Sequence, residues 1–151
     1  MIISILQDIV SKINTDTFSF YYGEKGWQNL TADDAVFPMV SIDFISKVDL
    51  TLPKSGYIGE NYPVSIYVGY KSELDWSTLQ HETVIDKATS AARNIISQLQ
   101  NYKDTNKNKL IDEVKFVGAD RVILRPSDDV GTSGLLLKLI IIPAVDVPVC
   151  V

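Results

Sequence analysis

Period-two alternation of apolar and polar residues runs through most of this chain, and two stretches of helical period interrupt it. Successive side chains of an extended chain point to opposite faces, so alternation commits a segment to a strand with one buried face. A helix instead buries residues three and four apart. The order of the two periods predicts helix, three strands, helix, two strands. That is an α+β domain on a mainly antiparallel sheet, with a short first helix and one long helix packed on it.

Ile2, Leu6, Ile9 and Ile13 recur at helical spacing, with Ile3 and Val10 beside them. This apolar stripe is wide for so short a helix, so the helix must dock on the sheet or on a neighbouring subunit. Phe18 to Tyr22 alternates and is aromatic, which favours a strand. Phe37 to Ile45 is the next strand, with Val40, Ile42 and Phe44 opposite Ser41 and Asp43. Alternation resumes through Val48, Leu50 and Leu52, so this strand is long or bends and carries on. Turn residues fill Pro53 to Asn61, and Tyr62 to Tyr70 returns with Val64, Ile66, Val68 and Tyr70 on one face. Lys47 to Tyr70 therefore reads as an antiparallel hairpin with a protruding end.

Ser77-Thr78-Leu79-Gln80 matches a capping box, in which the hydroxyl and the amide each satisfy a backbone N–H of the first turn. Val84, Ile85, Ala88, Ala92, Ile95, Ile96 and Leu99 then continue one stripe, carrying the long helix to about Tyr102. Lys103 to Asp112 is a polar connector. Val114 to Val117 and Arg121 to Leu124 are strand-like, joined or bent at Gly118, and Arg125 to Gly134 reads as a loop. Leu135 to Ile142 is the most apolar segment, expected at the centre of the sheet with both faces covered. From Pro143 onward, valines alternate with Asp146 and Pro148, as in an edge or an arm.

The 151 residues fit a single domain spanning 1–151, with enough length to bury a core. A net charge of −5 opposes tight binding to a phosphate backbone, which needs a surplus of lysine and arginine. An acidic wall that DNA slides past remains compatible with it. The lone Cys150 excludes a disulfide within the chain. Met1 to Ile13 holds Asp8 and Lys12 and has no basic leading segment, unlike a secretion signal. Leu135 to Val149 is too interrupted to span a bilayer, so folding in a cytosol is expected.

Residues that carry chemistry are sparse. Asp104, Asn106, Asn108 and Asp112 stand at positions one, three, five and nine of a calcium-loop pattern. Lys109 replaces the glycine of the sharp turn, and Lys115 stands where the bidentate glutamate belongs. Turn formation with their own backbone is the competing role for these Asp and Asn residues. His81 is the only histidine and is expected at the surface. Asp33-Asp34 and Asp128-Asp129 lie in polar loops. Cys150 as a nucleophile would need His81 beside it. No catalytic, cofactor-binding or metal residue is assigned, and the expectation is that the protein is not an enzyme. The aromatics Tyr57, Tyr62, Tyr67, Tyr70, Trp27 and Trp76 suit either half-buried strands or a subunit interface.

The order of elements, the strand opening at Phe37-Pro38, the strand ending at Tyr70-Lys71 and the segment FPMVSIDF…YPVSIYVGYKSELDW together resemble the tail terminator, or tail-completion, proteins of tailed bacteriophages. The likeness spans nearly the whole chain and lies in pattern and size. The connector Lys103 to Asp112 and the proline-containing C-terminal tail depart from it. The resemblance implies a structural virion protein without catalytic residues or cofactors, assembled in the host cytoplasm. It implies a homo-oligomeric ring, a hexamer or larger, that caps the tail tube and joins it to the neck. Its partners would be portal, neck or tail-tube proteins, with DNA passing through the ring and no membrane involved. The alternative reading is a monomeric binding or adaptor module, calcium-binding through residues 104–112.

Overall fold

The computed structural model describes residues 2–13, 15–23, 37–51, 59–73, 76–124 and 130–144. Its elements are α1 (Ile2–Ser11), β1 (Ser19–Tyr22), β2 (Met39–Ile42), β3 (Asp49–Thr51), β4 (Gly59–Glu73), α2 (Thr78–Gln100), β5 (Ile111–Leu124) and β6 (Val130–Pro143). The strands form one sheet in the order β1-β2-β4-β6-β5, and β3 pairs with the start of β4. Every pairing is antiparallel except β1 with β2, which is parallel.

Register explains why the alternation of two separate segments makes one core. Val64 stands opposite Leu139 and Ile66 opposite Leu137. Opposed residues share a face, so even positions of β4 and odd positions of β6 point the same way. Val40 and Ile42 of β2 and Phe20 of β1 join them, and both helices pack on that face. α1 contributes Ile5, Leu6 and Ile9, and α2 contributes Ile85, Ala88, Ala92, Ile95 and Leu99. The alanines let α2 lie close to the strands. Its start is the expected capping box: Ser77 accepts from the Gln80 backbone N–H, and the Gln80 side chain accepts from that of Ser77.

A smaller cluster occupies the opposite face, where buried Met39 and Tyr67 pack with Tyr21, Phe37, Val122 and Leu136. The Tyr67 ring lies over Gly69, and its hydroxyl meets the Thr132 hydroxyl. Burial pushes the Tyr67 phenol up to about 12, against a downward pull from Thr132. Gly134 stands opposite Gly69, and a Cβ there would collide with the Val68 carbonyl oxygen.

Several expectations need correction. β6 lies second from the margin, and the helices cover one of its faces only: Leu137, Leu139 and Ile141 are buried, Leu136 and Ile140 are half-buried, and Lys138 is exposed. Its apolar run serves the core with odd residues and the smaller cluster with Leu136. The expected loop Arg125 to Gly134 is already strand from Val130. The polar residues there are consumed by side-chain partners, Thr132 by Tyr67 and Ser133 by His81. The strand expected over Phe37 to Ile45 is shorter, and after Ile42 the chain bows outward. The six residues 43–48 face the four residues 62–65 of β4 before pairing resumes at Asp49. β5 is one strand with register shifts beside Asp112 and Val117, the second next to the expected bend at Gly118. The turn expected over Pro53 to Asn61 is already strand from Gly59, and residues 52–58 lie outside the described residues.

A polar latch ties α1 to the end of α2. The Asp8 carboxylate accepts from the Tyr102 hydroxyl at 2.7 Å and from Lys12 Nζ at 2.9 Å. These bonds, with Tyr102 first, hold the carboxyl below the ordinary aspartate value of 3.8. A carboxyl depressed by folding stabilises the fold above its unfolded pKa and loses that contribution as pH falls through the folded one. Asp8→Asn should therefore cost about 0.5 kcal/mol or less at pH 7, because the site is solvated. The difference from wild type should shrink below pH 3.8, as read by denaturant unfolding at several pH values. Gly134→Ala should cost about 1–3 kcal/mol by forcing β4 and β6 apart, measured as a lower midpoint in the same titration.

Candidate assembly surfaces

Eight large apolar side chains are exposed among the described residues, and seven of them lie at the two margins of the sheet. Tyr22, Phe44, Val48 and Leu50 stand where β1 ends and β3 begins, whereas Phe116, Val117 and Ile123 stand on β5. The eighth, Leu79, is in the first turn of α2.

The first margin is built by the outward bow at residues 43–48. The bow breaks the alternation, so Phe44 and Val48, which a regular strand would place on one face, emerge on different sides of it. Phe44 packs beside Tyr22 with ring centroids 6.3 Å apart, and the Tyr22 hydroxyl accepts from the Ile45 backbone N–H at 3.3 Å. Lys47 pairs with Asp49 at 3.3 Å. On the helix side, Ile45 and Val48 line a cleft of about 230 Å³ with Ile2, Ile3, Tyr22 and Tyr62. On the far side, Phe44 walls a trough of about 530 Å³ floored by Ser65, Lys138 and Ile140, with Val117 at its other wall. Burial pushes the Asp43 carboxyl at its rim up from the ordinary value.

The second margin is β5, which pairs only with β6 among the described residues. The register shift at Val117 inserts an extra residue, and such a bulge turns a side chain away from the regular pleat. Phe116 and Val117 are 62% and 58% exposed as a result. Exposed Glu113, Lys115, Asp120 and Arg121 alternate around them, and Arg121 reaches Glu82 of α2 at 3.0 Å.

His81 is buried, not at the surface as expected. It sits one turn before Ile85 on the core stripe of α2, a spacing that already placed it inward. Its Nδ1 bonds the Ser133 hydroxyl at 2.7 Å, Trp76 lies beside it with ring centroids 5.6 Å apart, and its Nε2 is buried with no partner among the described residues. Ser133 has no exposed surface, so the Ser–His contact is sealed from any substrate. In the connector, Asp104 spends its carboxylate on its own turn, accepting from the backbone N–H of Asn106 and Asn108 at 2.9 and 2.8 Å. Lys107 adopts a positive φ of 64°, and Lys103 bridges to Lys109. Among the described residues no three His, Cys, Asp or Glu side chains come together as a metal site. Asp33, Asp34, Asp128, Asp129, Cys150, Trp27 and Tyr57 lie outside the described residues. Of the remaining tyrosines, Tyr67 is buried, and Tyr62 and Tyr70 are half-buried against the core. No described helix is long and apolar enough to cross a membrane.

Compared with known proteins, the chain matches no family model and no curated sequence.

Because Asp104 is already engaged and lysines flank it, millimolar calcium should leave the melting temperature unchanged. A calcium-dependent rise that Asp104→Ala abolishes would restore the calcium-binding alternative.

Proposed function

We propose that this protein is a ring-forming structural component of a phage virion. In this reading it caps the tail tube at the head–tail junction and connects it to the neck. The observation that carries the proposal is the pair of apolar strand margins at opposite ends of one sheet, neither of which pairs further among the described residues. Contiguous exposed apolar surface marks an interaction site, and an open strand edge is a template for another chain. Two different margins on one subunit associate head to tail, which closes into a ring when the rotation permits. The resemblance to tail terminator proteins supplies the location. The α+β order with a long second helix agrees with it, and so does the hairpin at 47–70, which in this reading protrudes from the ring. The net charge of −5 suits a channel that DNA passes without adhering.

Light scattering on the purified protein should give the mass of a closed oligomer, a hexamer or larger, and electron microscopy should show rings that seat on the ends of tail tubes. A monomer at high concentration would overturn the proposal and favour the adaptor reading.

A further inference from the structure

We propose that the margin at β3 of one copy adds to the outer edge of β5 in the next, so that the sheet continues from subunit to subunit. This rests on the ring reading and names the surfaces that would close it. Within one copy β3 and β5 are separated by β4 and β6, so neither can satisfy the other. A second copy presents both.

The faces match. Leu50 stands opposite Glu60 of β4, on the side of Tyr62 and the helices, and Val48 lines the helix-side cleft. On β5, Ile123 stands opposite Ser133, which meets His81 of α2, and Phe116 stands opposite the core residue Leu139. These four side chains therefore occupy the helix side of a continued sheet. Phe44 and Val117 are both walls of the trough on the other side. A continuous sheet keeps its faces across the junction, so Val48 and Leu50 would lie on the side of Ile123, and Phe44 on the side of Val117.

The lengths also match. Beyond the bulge at Val117, β5 runs in unbroken register from Gly118 to Leu124. That segment accommodates the three residues of β3 with room to spare. Pairing of β5 with a second β5 about a twofold axis is opposed by the bulge, which bends the edge near its middle. The association is therefore heterologous.

The test uses two variants with one margin blocked in each, Leu50→Glu and Ile123→Glu. Circular dichroism checks that each is folded. Both residues are exposed, and Leu50→Ser with Ile123→Ser replaces the pair if either glutamate variant fails to fold. Each variant alone should fall from the ring mass to that of a single copy. An equimolar mixture should rise to the mass of two copies and stop there, because each pair retains one intact junction. Wild-type rings combined with variants that keep their ring mass, or a mixture that stays monomeric, would overturn this inference and leave the ring reading standing. A dimer of Ile123→Glu with itself would also overturn it. A monomeric wild type would overturn both.

Discussion

The twelve-residue register between β4 and β6 is the constraint on which the rest of the structure depends. It fixes which alternate residues of two segments distant in sequence become one apolar face. A shift by one residue would turn every one of these side chains to the other side. The helices follow from that choice, because the face so formed carries the larger aliphatic cluster of the described residues and both helices pack on it. Gly69 and Gly134 lock the register from the opposite face, where a side chain on Gly134 would collide with the Val68 carbonyl. Tyr67 then covers Gly69 and pins its hydroxyl to Thr132. The same pairing is thus specified by packing on one side and by steric exclusion on the other.

Much of this was legible in the sequence because burial on one face leaves a period. The two helices, the capping box at Ser77 and the strand Ser19–Tyr22 all declared themselves in that way. What was hidden depends on partners distant in sequence. The polar stretch Val130–Gly134 looks like a loop until Tyr67 and His81 are seen to take its hydroxyls. The parallel pairing of β1 with β2 leaves no local trace at all. Leu135 to Ile142 misled through an assumption about coverage. An apolar run implies two covered faces only if there are helices for both, and both helices here are taken by one face. The candidate site was partly visible, since Val48 and Leu50 belonged to an alternation longer than the core required. Phe116 and Val117 carried no such signal, because a bulge is a property of pairing and not of local sequence.

The bow at residues 43–48 and the bulge at Val117 are related devices. Each inserts extra residues into one strand of an antiparallel pair, and each moves an apolar side chain out of the pleat. A regular strand in either place would bury one face and leave polar residues on the other. With the irregularities, Phe44 and Val117 stand up as facing walls of one trough while their neighbours serve the core side.

Bulges on an edge strand ordinarily guard against unwanted pairing, because a bent edge cannot lie flat along a long partner. That function is incomplete on β5. Charges alternate along it, yet Phe116, Val117 and Ile123 remain exposed between them. The two observations are reconciled if the edge is selective instead of closed. A bend near the middle excludes a second long strand and leaves the regular stretch Gly118–Leu124 open to a short one. The charged neighbours keep the margin hydrated until such a strand arrives.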